Sequence, residues 1–491
     1  MPLFNFEHSY AQLADDFHRP APPSAVAQPH LFALNRALAE QLGIALGSET
    51  PAQLAEIFSG NQLADGAMPI AMNYAGHQFG NFNPQLGDGR AILLGEVVDQ
   101  QDERWDIQLK GAGRTPYSRG GDGRSPLGPV MREYLVSEAM HALGVPTTRA
   151  LAAVTSGEMV YRDIAEPGAV LTRVARSHIR IGTFEFFGRR RQDEQVKQLA
   201  DYVIERHYPQ LNDPSGNPYE ALLEAISERQ AALVAHWMSI GFIHGVMNTD
   251  NTCVTGDTID YGPCAFMDHY HAEKVFSSID QRGRYAYRNQ PMIAQWNLAR
   301  LAECLLPHFD GTEDAAIERA STILDQYSQH YLQHWRQRMG AKLGVANLPE
   351  AQQPLVDELL ALMQQHKVDF TLLFRQLSRD APQPGHSSDA DDMFGGDQQF
   401  SAWRQRWASA LDAAADTSAA VESRMKHSNP AVIPRNHRIA EAIKQAEDSE
   451  DFTLFKRLHA RLAEPFSDHD DDEWLGPPAP EEQVLRTFCG T

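Results

Sequence analysis

Residues 244–263 constrain the chain more than any other stretch. They read His244-Gly245-Val246-Met247-Asn248-Thr249-Asp250-Asn251 and, eight residues on, Asp260-Tyr261-Gly262-Pro263. An apolar helical run, Ala231 to Met238, feeds into the cluster, and Thr258-Ile259-Asp260-Tyr261 reads as a short β-like segment. An adjacent Asp-Asn followed across a turn by Asp-aromatic-Gly can aim two or three hard oxygens at one point. A Mg²⁺ that bridges phosphates takes one or two protein oxygens and keeps water for the rest. Either piece alone also describes a polar surface turn followed by a strand.

A second constraint lies upstream. Gly87-Asp88-Gly89-Arg90 precedes an apolar strand, Ala91 to Val98, and a polar turn joins it to Trp105-Asp106-Ile107-Gln108-Leu109-Lys110. The period of two puts Trp105, Ile107 and Leu109 on one face and Asp106, Gln108 and Lys110 on the other. Lys110 can therefore face a cleft while its neighbours fill a core. Glycines at 87 and 89 would let backbone N–H groups approach phosphate, although such a pair also describes a plain turn. Residues 111–124 form a glycine-rich basic loop, suited to a phosphate-binding flap or to a solvated surface. Ser125-Pro126 then opens a helix, Ser as N-cap and Pro at N1, with a body from Leu127 to Leu143 and Gly144 as its stop. Glu133 on this helix, 23 residues after Lys110, is the candidate to orient the lysine, and Glu138 is expected to face solvent.

Strands are expected within 150–175. Arg173, Arg176 and Arg180 would share one face if their segment turns helical, and would then need an anionic partner, a nucleotide phosphate or acidic side chains. Beyond, the pattern is helical: Val196 to Arg206, Tyr219 to Ile243, Gln295 to Leu305, Ala315 to Arg338 and Gln353 to Leu377. Pro382 to Asp397 reads as a linker or mobile loop, and 464–482, with eight acidic residues and no Lys or Arg, as a solvated tail. The reading is an α+β, two-lobed fold: an N-terminal extension (1–70), a β-rich lobe with one key helix (71–195), a helical lobe (196–380) and a C-terminal extension (381–491).

Composition narrows the function. With 491 residues the chain can bury several cores. A formal charge of −22 argues against nucleic acid and anionic membranes as partners. No apolar run is long enough to span a bilayer and no secretory leader opens the chain, so a cytoplasmic protein is expected. Four cysteines (Cys253, Cys264, Cys304 and Cys489) show no zinc spacing.

Asn251 and Asp260-Tyr261-Gly262 match the slots in which a protein kinase carries its metal-binding Asn and the Asp of Asp-Phe-Gly. Counted from His244, however, the catalytic-base slot falls on Val246. More specific strings are Gln108-Leu109-Lys110-Gly111-Ala112-Gly113-Arg114-Thr115-Pro116, Arg284-Tyr285-Ala286-Tyr287 with Asn289-Gln290-Pro291, and Asn429-Pro430 with Ile433-Pro434-Arg435-Asn436-His437. With Asp250-Asn251 and Asp260-Tyr261-Gly262-Pro263 they resemble the selenoprotein O family, from about Tyr74 to Cys489.

The resemblance implies a protein-kinase-like pseudokinase fold that binds ATP in reverse. It would transfer AMP, rather than phosphate, to Ser, Thr or Tyr hydroxyls of proteins, using Mg²⁺ or Mn²⁺, and other nucleotides such as UMP with Mn²⁺. It implies Gly87, Gly89, Arg90 and Lys110 on the phosphates, and Asp122, Gly123, Arg173 and Arg180 at the γ-phosphate end. Asp250 would be the proton acceptor, and Asn251 and Asp260 the metal ligands. A monomer is expected. Family members carry selenocysteine, or a redox-paired cysteine, where this chain has Cys489. The nearest candidate partner here is Cys264, because 266–287 holds no cysteine. The competing readings are an atypical kinase that moves the γ-phosphoryl, an inactive binding platform, and a ligase-like enzyme using Lys110 as nucleophile. The last lacks the Asp of a Lys-x-Asp-Gly motif.

Overall fold

In the computed structural model, which describes every residue except 1, 48, 213–215, 347, 415, 470–472 and 489–491, strands gather on the N-terminal side. They are β1 (His18–Pro20), β2 (His30–Leu34), β3 (Ile70–Met72), β4 (Gly76–Gln78), β5 (Asn81–Asn83), β6 (Ala91–Val98), β7 (Arg104–Lys110), β8 (Ser125–Pro126), β9 (Arg149–Tyr161), β10 (Ala165–Ala175), β11 (Phe242–Ile243) and β12 (Ala265–Phe266). The first helices are α1 (Arg36–Gln41), α2 (Pro51–Ser59), α3 (Leu127–Ala142), α4 (Ile181–Gly188), α5 (Asp193–His207) and α6 (Pro218–Ser239). The remainder are α7 (Gln290–Leu305), α8 (Glu313–Lys342), α9 (Gln353–His366), α10 (Phe370–Asp380), α11 (Asp389–Met393), α12 (Gln398–Ala413), α13 (Ser418–Ser428), α14 (Asn436–Ser449) and α15 (Thr453–Leu462). The fold is α+β and two-lobed, with a sheet-rich lobe followed by a helical one.

Eight strands make one sheet in the order β1-β3-β6-β7-β10-β9-β2, with β8 added to β10. Residues before 70 thus belong to this sheet: β1 pairs with β3 and β2 with β9. The alternation in β7 holds. Ile107 and Leu109 are fully buried in one core with Leu38 of α1 and Leu54 and Phe58 of α2. On the opposite face Asp106, Gln108 and Lys110 meet His178, Arg173 and Glu133.

Several expectations are corrected. Ser125 and Pro126 do not cap and open α3; they pair with Ala169 and Gly168, and that ladder holds them extended, so α3 begins at Leu127. The Arg173–Arg180 segment is not a helix. Arg173 ends on β10, Arg180 stands just before α4, and Arg176 turns away to Asp257, 2.5 Å distant. Gln353 to Leu377 is broken at Lys367, whose φ of 53° ends α9 before Asp369 caps α10. Residues 382–397 are built into the fold: Arg404 donates to Pro384 O and to Asp391, and Phe394 stacks on Phe400 at 3.8 Å. Within the acidic segment Trp474 is buried between the guanidinium groups of Arg438 and Arg457.

The C-terminal helices return to the sheet lobe. Both α14 and α15 pack on α3, and the Tyr134 ring lies 5.6 Å from Phe455 and 5.3 Å from His459. Phe452 stacks on Phe32 of β2 at 4.4 Å. Farther on, Thr487 pairs with Ser277 and its hydroxyl donates to Pro263 O at 2.5 Å. Among the described residues no helix is long and apolar enough to cross a membrane.

Glu138 is not solvent-facing. It is buried, because Arg149 of β9 reaches it with two bonds of 2.9 and 2.8 Å, while Ala150 N and Asn35 Nδ2 also donate to it. Breaking a buried pair strands the remaining charge, at roughly 3–5 kcal/mol. Glu138→Ala should therefore lower the unfolding free energy of the whole protein by about that amount, seen in urea denaturation as a lower midpoint. An unchanged midpoint would mean that Arg149 finds another partner.

Candidate active site

A cleft of about 550 Å³ lies between the sheet lobe and the 246–262 loop. Gly87, Gly89, Arg90, Lys110, Asp122, Gly123, Glu133, Arg173, Arg180, Asp250, Asn251 and Asp260 all line it. Long-range folding thus brings the sequence candidates of both lobes together among the described residues, except Cys264.

Lys110 is the hub. Its Nζ lies 2.6 Å from Glu133 Oε2 and 2.6 Å from Asp260 Oδ1. Arg173 joins the same carboxylates, at 3.1 Å from Glu133 Oε1 and 3.2 Å from Asp260 Oδ1. Burial alone would raise the Asp260 carboxyl, but Lys110, Arg173 and Arg180 hold it well below the usual carboxylate range. Asp260 is not on a strand. Its φ is 64°, and the preceding backbone is pinned elsewhere: Thr258 N donates to Pro146 O, and Ile259 O lies 2.8 Å from His244 Nε2. His244 is thus a buried clamp on the loop that carries Asp260.

Across the cleft, the hairpin β4–β5 sits on the 248–251 turn. His77 N donates to Thr249 Oγ1 at 2.7 Å, and Phe79 N and the Tyr285 hydroxyl both donate to Asn248 Oδ1. Gln78 Nε2 donates to Asp250 Oδ2 at 3.1 Å, whereas Asp250 Oδ1 is buried without a hydrogen-bond partner. Burial pushes the Asp250 carboxyl up to about 7, against the Gln78 hydrogen bond and the Arg180 charge. The approach is so close that a Cβ at Gly76 would stand 2.4 Å from Asp250 Oδ1, so only glycine fits there. Asn251 Nδ2 donates to Val246 O at 3.0 Å, which leaves the amide oxygen as the end available to the cleft.

At the far end, Arg180 is fully buried, with its guanidinium 4.4 Å from the Tyr74 ring centre and 3.6 Å from Asp88 Oδ1. Its Nε has no hydrogen-bond partner. Asp122 is held by Arg162 through two bonds of 2.9 Å, and these keep its carboxyl below the usual range. The 111–124 loop is folded on itself: Arg114 donates to Gly121 O and Gly120 O, and Arg124 to Ser24 O and Ala25 O. Gly123 has a φ of 69° and abuts Gly113 O, where a Cβ would come within 2.0 Å. Arg119 is the loop's exposed cation on the cleft.

Gln78, Asp88, Tyr74 and Arg162 were not legible as cleft residues. Only Asp88, between two glycines, carried a local signal. Cys264 is a free, buried thiol whose Sγ lies 3.2 Å from Tyr261 O, and burial pushes it up to about 12. Cys489 lies outside the described residues.

Hard oxygens at Asn251 and Asp260 are of the kind that a phosphate-bound Mg²⁺ or Mn²⁺ takes. Asp260 Oδ1 is taken by the two cations, which leaves Oδ2, and the side chain is 27% exposed. Among the described residues no group of three His, Cys, Asp or Glu could hold a metal alone.

A cleft lined by glycines, a lysine, arginines and acidic side chains is one that a nucleotide suits, and the chain's relatives are nucleotidyltransferases. The family model described as "Protein adenylyltransferase SelO" matches residues 2–463. A "Protein nucleotidyltransferase YdiU" of Rhizobium etli (strain ATCC 51251) is 54% identical over 493 residues, covering 99% of this chain and 97% of the relative. Its namesake in Bradyrhizobium sp. (strain ORS 278) is 54% identical over 99% of each chain, and that of Rhizobium meliloti (strain 1021) 52% over 100% of each. The chain belongs to the SelO family of protein adenylyltransferases.

Proposed function

We propose that this protein transfers AMP from ATP to Ser, Thr or Tyr hydroxyls of other proteins and releases pyrophosphate. The observation that carries the reading is a pair of positions. Val246, in the slot of a kinase base, cannot accept a proton, whereas Asp250, which lines the same cleft, carries a carboxylate that can. The acceptor oxygen attacks the α-phosphorus in line, the bond from that phosphorus to the bridging oxygen breaks, and the hydroxyl proton passes to the Asp250 carboxylate. A carboxylate near pKa 7 is well matched to general-base work at neutral pH.

Lys110, oriented by Glu133, steadies the phosphate oxygens. Arg180, with Nε free, and Arg173 behind it favour the γ-phosphate end, away from the acceptor. Gly87, Gly89, Arg90 and Gly123 would bring backbone and guanidinium close to the chain of phosphates, with Asp122 fixing Arg162 at the rim. Asn251 and Asp260 would hold Mg²⁺ or Mn²⁺, which supplies positive charge to the phosphates and the leaving group. The acidic surface speaks for protein rather than nucleic-acid acceptors.

The test is where a label goes. With acceptor protein present, ATP labelled at the α-phosphate should mark protein, and modified peptides should gain the mass of AMP. ATP labelled at the γ-phosphate should leave protein unlabelled. Label from the γ position alone would replace the proposal with an unusual kinase, and label from neither with a binding platform.

A further inference from the structure

A second cavity, of about 300 Å³, opens where α6, α8 and α13 end, and it shares no residue with the cleft. Arg338, Lys342, His236, His334, His427 and Ser428 line it, and no Asp or Glu does. That is a conspicuous composition for a chain with 65 acidic residues and a charge of −22.

The two strongest cations, buried Lys342 and half-buried Arg338, have no carboxylate beside them. Lys342 is 2% exposed, and its ammonium has only the Phe374 and Phe370 rings for company, at 4.3 and 5.4 Å. Burial alone pushes Lys342 down to about 7 and Arg338 down to about 10, with no acidic neighbour to oppose it. His236 is 6% exposed, and its Nδ1 is buried without a hydrogen-bond partner. His427 engages Ser423 O through Nδ1 at 2.7 Å. Only His334 has an acid, Glu228, at 2.7 Å.

Burying an ammonium and a guanidinium unpaired is costly, and the cost is relieved by an anion that supplies charge and hydrogen-bond acceptors together. A guanidinium fork beside a lysine point charge is a phosphate-binding combination. We infer that this cavity binds a phosphate-class oxyanion, held by Arg338 and Lys342. Two sources share that chemistry: free orthophosphate, and the pyrophosphate that the proposed reaction releases. The site stands on its own residues, so it survives or fails independently of the proposed function.

The test is calorimetric titration of the full chain with orthophosphate and, separately, pyrophosphate, after the cleft is saturated with α,β-methylene-ATP and Mg²⁺. One site should remain, weakened tenfold or more in Arg338→Gln and in Lys342→Met, with nucleotide affinity unchanged in both. Tighter binding of pyrophosphate identifies product as the ligand, and tighter binding of orthophosphate the free ion. Half-buried Arg338 keeps the test decisive if Lys342→Met does not fold. Loss of all anion binding once the cleft is filled would overturn the inference. So would Arg338→Gln that melts earlier but binds anion as before, because Arg338 would then serve only the helix end.

Discussion

Replacing Asp260 with asparagine should cut nucleotidyl transfer by roughly a hundredfold or more, on the scale of losing one preorganised charge-stabilising group. The substitution keeps the shape and removes the charge that Lys110 and Arg173 share. Asparagine is preferable to alanine because Asp260 sits at φ 64°, a conformation that asparagine adopts more readily than alanine does. Glu133 remains to pair both cations, so the fold should persist, as circular dichroism and the melting temperature would show. Steady-state rates across a Mg²⁺ and Mn²⁺ series would check the site itself. A folded Asp260→Asn enzyme of full activity would remove Asp260 from the metal-binding account.

Asp250→Asn should be nearly as damaging and should differ in kind. Asparagine can still accept from Gln78, so the turn under the β4–β5 hairpin has reason to stay in place. What it cannot do is take a proton. Loss of a positioned general base costs about 10²–10⁴-fold. The loss should fall on kcat, while the dissociation constant of ATP, measured by calorimetry, changes little. A large fall in ATP affinity with kcat preserved would make Asp250 a nucleotide-binding residue instead.

The contacts that were legible in the sequence are those set by a local period or stop. Alternation in Trp105–Lys110 is enough to turn Lys110 from the core, and one helix between Pro126 and Gly144 is enough to bring Glu133 beside it. The ends of that helix were less legible, because the ladder of Ser125 and Pro126 to β10 is a long-range contact that overrides their capping preference. The same holds for Glu138, exposed by pattern but claimed by Arg149 from a strand still to come, and for Trp474, apolar within an acidic run and buried by two distant arginines. Arg173 and Arg180 do meet in the cleft, though not by helical spacing: a strand end and a helix start deliver them. Gln78 and Tyr74 carry no local mark of their place; only the packing of β4 on the 248–251 turn, and of Arg180 on Tyr74, reveals it.

The return of α14 and α15 onto α3 also orders events during synthesis. Domains tend to fold as the ribosome releases them, N-terminal part first. Here the helix that bears Glu133 gains two of its neighbours, Phe455 and His459, only when α15 has been made. A nascent chain released as far as α13 has the lysine, the arginines and both oxygen-rich loops, but the flank of α3 at Tyr134 is still open. Closure of that flank, and with it the full packing of the helix that carries Glu133, comes only once α14 and α15 have folded back onto α3.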